Sequence, residues 1–270
     1  PTWRWFGPPD PITLPEIRQT GARGIVTALH HIPFGEVWSK DEIIKRKQLI
    51  EAEKLPWSVA ESVPVHEDIH KKKGNYKQYL DNFKETLRNL GQCGIDTVCY
   101  NFMPVFDWLR TDLDVEYEDG SLTTQFEVKV LAAFDLFILQ RTEAEKDYSN
   151  IQIQKAEQYY KTLNESQKDK LVQAVLLGFP GSCDAYTLKE LKSALLEYND
   201  IGSQELQDNL FYFLREIIPV AEENGVFMNI HPDDPPWSVL GLPRVVKNKE
   251  DIQQLLQVIV SPANGLTFGN

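Results

Sequence analysis

Short apolar runs alternate with longer stretches of helical apolar spacing along almost the whole chain. The runs are apolar throughout rather than alternating, as expected when other elements cover both faces of a sheet. These candidate strands lie at residues 3–6, 25–29, 57–62, 97–101, 226–231 and 266–268. Repeated units of one strand and one helix predict an α/β protein with a parallel sheet.

The intervening helical patterns carry their own packing and start signals. Apolar stripes at three- and four-residue spacing run through residues 76–90, 206–221 and 252–259, and each could pack on the sheet. Thr13 with Glu16, and Ser39 with Glu42, match the capping box that begins many helices. A single α/β barrel of about 250 residues fits the chain length as well as two average domains do.

One connection is far longer than a link between a strand and a helix requires. About 100 residues separate Asn101 from the helix predicted near Gln204. Helical patterns fill residues 126–139, 151–163, 167–176 and 188–198. Because this segment leaves the carboxyl end of a strand, we expect it near the face where barrel sites form. We interpret residues 105–203, approximately, as a helical cap or an interface inserted into one barrel domain of residues 1–270.

Charge and motifs narrow the classes of partner. The chain has 28 basic and 40 acidic residues, a net charge of −12, which disfavours general binding to nucleic acid or anionic membranes. Cys93, Cys99 and Cys183 are an odd set without CxxC spacing, so neither a disulfide framework nor a zinc knuckle is indicated. Nucleotide-binding glycine motifs and the GxSxG motif are absent from the sequence. With no apolar window near the roughly 18 residues of a membrane span, we expect a cytoplasmic protein.

Polar residues stand where the predicted strands end, and in a barrel all these ends meet at one face. They are Arg4, His30, His31, Glu61, Asn101, His231, Asp233 and Asp234. Each of these residue types also has a structural explanation. Arg4 and Glu61 could form an internal ion pair, and aspartates beside prolines suit a turn. A lone histidine is also more often structural than a ligand. Their joint placement favours a functional site.

Other residues are expected to be mainly structural. His66 and His70, followed by three lysines, predict a solvated basic loop. Cys99 is interpreted as a small buried hydrophobe that faces away from Tyr100, and Tyr100 as a packed residue. The aromatic residues expected mostly in the core, with an apolar wall from any near the rim, are Trp3, Trp5, Phe6, Trp38, Trp57, Trp108 and Trp237.

Six stretches of the chain resemble the mannonate dehydratases of the hexuronate pathway. They are WRWFGPPDP, GIVTALHHIPFGEVWS, ESVPVHEDI, TLRNLGQCGIDTVCYNFMPVFDW, IHPDDPPWSVLGLPR and SPANGLTF, and the similarity runs from Trp3 to Phe268. The resemblance implies a TIM-type (β/α)8 barrel similar to the xylose isomerases. It also implies dehydration of D-mannonate to 2-keto-3-deoxy-D-gluconate with a divalent metal, Mn²⁺ or Fe²⁺.

The same resemblance implies that His231 is a metal ligand. Its other implied ligands are a cysteine just after the TF of the sixth strand, a histidine on the seventh and an aspartate on the eighth. Here Gly269 and Asn270 follow Thr267 and Phe268. About six strands are therefore present. We expect strands seven and eight, with the principal acid and base, in residues beyond these 270.

Dehydration of a sugar acid removes the C2 proton beside the carboxylate and expels the C3 hydroxyl. A divalent cation on the substrate oxygens, an acid and a base are expected to assist these steps. We expect Arg4 to bind the carboxylate or a hydroxyl of the substrate. The polyol would contact His31, Glu61, Asn101 and Asp233, with Arg244 as a further candidate.

Two alternatives to this activity stay open on the sequence. One is a sugar-acid binding or regulatory protein that has lost catalysis. The other is a related sugar isomerase or epimerase, which product identification would separate from a dehydratase. The resemblance also makes a homo-oligomer plausible.

Overall fold

The computed structural model describes residues 1–178 and 187–268. The chain forms two compact units. Unit 1 comprises Pro1–Phe102, Gln204–Pro232 and Val245–Asn270, and unit 2 comprises Met103–Ser203 and Asp233–Arg244. Within the described residues, every helix is too short or too polar to span a membrane.

The strands and helices are numbered along the chain. The strands are β1 (Trp3–Arg4), β2 (Ile25–Thr27), β3 (Trp57–Glu61), β4 (Thr97–Tyr100), β5 (Asp112–Glu116), β6 (Leu122–Gln125), β7 (Phe227–Ile230) and β8 (Asn264–Leu266). The α-helices are α1 (Leu14–Gln19), α2 (Lys40–Ala52), α3 (Glu67–Lys71), α4 (Tyr76–Gln92), α5 (Val128–Ala133), α6 (Asn150–Thr162), α7 (Glu165–Leu176), α8 (Leu188–Leu196), α9 (Ser203–Glu223) and α10 (Lys249–Val258).

Unit 1 is built on a six-stranded sheet in the order β1-β2-β3-β4-β7-β8, and all five pairings are parallel. The first five predicted strands each contain an observed strand, and the sixth lies two residues earlier than predicted. Strands alternate with helices along the chain, as in a TIM-type barrel. The prediction of an α/β protein with a parallel sheet of about six strands is confirmed.

The two faces of this sheet differ in burial. Tyr100 and Met228 lie on the face that packs against helices, and both are fully buried. On that side the ring of Phe213 in α9 lies 5.9 Å from the ring of Tyr100 and 5.1 Å from that of Phe83 in α4. The opposite face is more open, with half-buried residues at Val26, Val59, Asn229 and Gly265.

Unit 2 contains the predicted helical insertion and a β-hairpin that was not predicted. Its helices α5 to α8 match the four helical patterns, with a π-helix at Phe134–Leu139 and a 3-10 helix at Ala144–Asp147. Strands β5 and β6 pair antiparallel. The insertion was predicted at about residues 105–203, whereas unit 2 also includes Asp233–Arg244.

The prediction of a solvated basic loop after β3 is wrong. Residues Glu67–Lys71 form helix α3, and the His66 ring caps it by accepting the Asp68 amide at 3.0 Å. His70 is 2% exposed, and its ring meets the edge of Phe102 at 4.5 Å. The apolar packing of this short helix outweighs the local basic composition. Cys99 and Tyr100 are both buried, as predicted.

Candidate active site

An ion pair joins the carboxyl ends of β1 and β3. Nη1 of Arg4 lies 2.7 Å from Oε1 of Glu61, and the two side chains are 35% and 30% exposed. Nε of Arg4 is buried without a hydrogen-bond partner among the described residues. The predicted internal ion pair is thus present, and it lies at the strand ends, where the guanidinium remains partly accessible.

Polar groups continue across the open face of the sheet. Glu61, Cys99, Asn229 and Gly265 are neighbours in the register of β3, β4, β7 and β8. The Thr267 hydroxyl lies 3.1 Å from Cys99 Sγ. Burial raises the pKa of the Cys99 thiol to about 11, so it stays protonated at neutral pH. Sequence reasoning missed Asn229 and Thr267, although Asn229 precedes His231 by the two-residue spacing of one strand face.

His231 follows β7 directly and is half-buried. Its backbone amide donates to the Tyr100 carbonyl at 2.8 Å, and its Nδ1 lies 2.7 Å from the Pro232 carbonyl oxygen. Because a carbonyl only accepts, Nδ1 carries a proton, and in the neutral imidazole Nε2 is then the acceptor. Metal-binding histidines commonly donate their second ring nitrogen in this way. The imidazole therefore fits a metal ligand.

One imidazole does not complete a metal centre. Within the described ranges, no group of three or more His, Cys, Asp and Glu side chains is arranged to hold a metal. Gly269, which stands where the resemblance implies a cysteine, lies outside the described residues.

His31 contacts the first turn of α2. Its Nε2 lies 3.0 Å from Oε2 of Glu42, and Lys45 Nζ lies 2.6 Å from the other carboxylate oxygen. These hydrogen bonds, with that of Lys45 the stronger influence, lower the pKa of Glu42.

The capping box predicted for α2 is only partly present. The Ser39 hydroxyl accepts a hydrogen bond from the Glu42 amide at 3.3 Å, but the Glu42 carboxylate bonds to His31 and Lys45 instead. The predicted capping box is therefore only half formed, whereas Glu16 does accept the Thr13 amide at 2.8 Å.

The neighbouring His30 was not among the predicted substrate contacts. Its ring centroid lies 5.9 Å from that of Phe6, beside the Arg4 end of β1. Although much of the side chain is exposed, loss of hydration around the ring and the positive charges of Arg4 and Arg46 lower its pKa to about 4. The ring is therefore neutral at physiological pH.

The remaining predicted contacts divide between the two units. Asn101 directly follows β4 in unit 1 and is half-buried. Asp233 and Arg244 belong to unit 2, where they are 5% and 0% exposed. Asp234 forms an ion pair with Arg110 at 2.7 Å in the same unit. The sheet of unit 1 thus carries Arg4, Glu61, Asn101 and His231 at its strand ends.

Only some of the aromatic residues predicted for the core are buried there. Trp5, Trp38 and Trp57 are buried, as expected. Phe6 is 57% exposed and Trp237 is 47% exposed. In unit 2, Trp237 meets the edge of Phe126 at 5.8 Å and lines a cavity of about 390 Å³. Phe6 stands instead at the end of β1 in unit 1.

A parallel α/β sheet with a guanidinium, a carboxylate and an imidazole at its strand ends defines a TIM-type α/β protein with an enzyme-like site. A family model described as D-mannonate dehydratase (UxuA) matches residues 1–270. The chain belongs to this family, whose name describes a hydro-lyase.

Individual relatives agree with that assignment. A mannonate dehydratase from Marinomonas sp. is 54% identical, over 99% of this chain and 68% of the relative. One from Chromohalobacter salexigens is 52% identical over the same shares. The crystal structure of mannonate dehydratase from Streptococcus suis serotype 2 is similar with a TM-score of 0.73 and 35% identity, over 98% of this chain and 62% of that one. The chain thus spans about two thirds of the length of these relatives.

Proposed function

We propose that the protein carrying this chain is a hydro-lyase that converts D-mannonate to 2-keto-3-deoxy-D-gluconate and water. Family membership over residues 1–270 supports the substrate and the reaction. The structural observation that carries the proposal is His231 at the end of β7, where the bond between Nδ1 and the Pro232 carbonyl leaves Nε2 for a ligand. It shares a sheet with the Arg4 and Glu61 pair.

The substrate-binding roles follow from the chemistry of each side chain. We propose that Arg4 binds the carboxylate of the substrate, since a guanidinium can donate two parallel hydrogen bonds to a carboxylate. Glu61, 2.7 Å from Arg4, would orient that guanidinium. Its carboxylate would also accept a hydrogen bond from a substrate hydroxyl. His31 and Asn101 are proposed as further contacts to the polyol, and the sequence-based predictions that Asp233 and Arg244 also bind it are kept as proposals.

His231 would hold a divalent cation, proposed as Mn²⁺ or Fe²⁺, through Nε2. Such a cation polarises substrate oxygens and stabilises negative charge that develops on them. A single imidazole binds a cation weakly, so further ligands are required. We also propose that the enzyme is cytoplasmic. We further propose that it is a homo-oligomer, and light scattering on the purified protein would test this oligomeric state.

The decisive assay follows keto-acid formation from D-mannonate with and without added Mn²⁺. It uses protein that includes the residues corresponding to the remaining third of the relatives. Metal-dependent formation of 2-keto-3-deoxy-D-gluconate is expected. Binding of D-mannonate without product would indicate a sugar-acid binding protein, and a different product would indicate an isomerase or epimerase.

A further inference from the structure

Phe6 is an exposed aromatic ring among polar groups. Its side chain is 57% exposed, whereas the adjacent Trp5 is 3% exposed. The Arg4 guanidinium lies 5.2 Å from the Phe6 ring centroid, and the His30 ring lies 5.9 Å away at an angle of 45°. Phe6 therefore presents an apolar surface beside the cation that we propose binds the substrate carboxylate.

The turn after β1 fixes the backbone that carries this ring. Asp10 accepts the Phe6 amide at 2.8 Å and the Ile12 amide at 2.9 Å. Gly7 has a φ of +91°, and a Cβ there would lie only 2.9 Å from Nη1 of Arg46, so the turn needs glycine. Pro8, Pro9 and Pro11 further restrict the loop. The backbone position of Phe6 is thus fixed before any ligand binds.

A six-carbon sugar acid offers two surfaces that match this arrangement. Its carboxylate suits Arg4, and the C–H groups along its carbon chain suit the flat face of an aromatic ring, whose negative charge attracts their weakly positive hydrogens. His30, neutral at physiological pH, would add no second charge beside the carboxylate. The charged and apolar contacts lie side by side.

We propose that Phe6 determines specificity for chain length, by packing against the carbon chain of the sugar acid while Arg4 holds its carboxylate. This inference rests on the proposed function of Arg4 and extends it to a residue that fixes which hydroxy acids bind well. A three-carbon hydroxy acid held by Arg4, which lies 5.2 Å from the Phe6 ring centroid, would cover less of that ring than a six-carbon acid.

The test compares Phe6→Ala and Phe6→Tyr with the unsubstituted full-length enzyme. D-mannonate is the substrate, and glycerate, a three-carbon hydroxy acid, is a competitive inhibitor. Phe6→Ala is expected to raise the KM for D-mannonate about three- to tenfold and leave kcat and the glycerate inhibition constant within about twofold. Phe6→Tyr, which keeps the ring, is expected to restore the original KM.

Phe227→Ala is the matched control, because Phe227 is 47% exposed but lies at the amino end of β7. It should leave the KM unchanged. An unchanged KM in Phe6→Ala, or equal weakening of D-mannonate and glycerate, would overturn the inference. Thermal melting of each variant excludes unfolding, and Phe6→Leu serves if the alanine variant does not fold.

Failure of the proposed function gives a different result. The unsubstituted enzyme would then form no keto acid from D-mannonate. Calorimetric binding of D-mannonate to the unsubstituted and Phe6→Ala proteins would still show whether Phe6 contributes to sugar-acid binding.

Discussion

The hydrogen bond between His231 Nδ1 and the Pro232 carbonyl leaves one ring nitrogen for a cation. Replacing His231 with Ala removes that nitrogen without emptying a packed core, because the side chain is only half-buried. We expect His231→Ala to lose bound metal and metal-dependent turnover while circular dichroism shows a retained fold. Metal content is measured by plasma mass spectrometry after gel filtration.

His66→Asn is the matched histidine control for that experiment. His66 caps α3, and asparagine is an equally good cap, so fold and metal content should both persist. Full activity in His231→Ala would refute the ligand assignment.

His30 predicts a pH dependence of stability. Its pKa is lowered in the folded state from 6.5 to about 4, by lost hydration first and then by Arg4, Arg46 and His31, with Asp10 opposing. Below pH 6.5 the unfolded chain therefore binds a proton that the folded chain does not, and stability falls as the pH drops toward 4. Since His30 is partly exposed, we expect a loss on the order of 1 kcal/mol between pH 7 and pH 5.

Urea unfolding of the unsubstituted chain and His30→Gln at pH 7 and pH 5 measures this effect. Glutamine does not titrate, so the variant should lose less stability on acidification. Identical losses in the two proteins would contradict the lowered pKa.

Single residues at the site were predictable only where strand ends could be located. Arg4, Glu61 and His231 were found because each ends an apolar run, and strand direction brings such ends together. His30 and Phe6 were not assigned, because their surroundings depend on how the loops after β1 and β2 approach one another. Asp233 was grouped with His231 because the two are close in sequence. However, this segment of unit 1 ends at Pro232, and Asp233 belongs to unit 2.

At the scale of elements, Phe213 links α9 to α4 and to the sheet. It is fully buried, with the rings of Phe83, Tyr100 and Phe102 within 6 Å of its own. We expect Phe213→Ala to lower the free energy of unfolding by about 3–5 kcal/mol, the usual cost of such a cavity.

Urea denaturation followed by tyrosine and tryptophan fluorescence would measure the loss for Phe213→Ala. Phe227→Ala, at a 47% exposed position, is expected to cost well under half as much. Similar losses in both variants would mean that Phe213 does not join the elements as described.

Periodicity located the long elements and failed on the short ones. The stripes of α4, α9 and α10 are several turns long, so their spacing is unambiguous. Helix α3 has only five residues, and tertiary packing buries a segment whose composition is basic. The β5–β6 hairpin had a signal, since Asp119-Gly120 suits a tight turn, but its strands include exposed polar residues and do not form apolar runs.

At the scale of the whole molecule, the sheet of unit 1 has free edges at β1 and β8 within the described residues. The amides of Trp3 and Trp5 donate to the Gly24 and Val26 carbonyls, so the intervening Arg4 amide points away from β2. By the same alternation the Leu266 amide points away from β7, because Thr267 donates to Ile230. These two amides are where added strands would bond.

Hydrogen exchange at Arg4 and Leu266 therefore tests the prediction of strands seven and eight. In a protein of these 270 residues, both amides should exchange rapidly, while central amides such as those of Val98 and Met228 exchange slowly. In a protein extended to the length of the relatives, closure of the barrel would give both edge amides hydrogen-bond partners and slow their exchange many-fold. If the extension left both amides fast, the sheet would stay open, and ligands from the extension would not be brought to His231 by barrel closure.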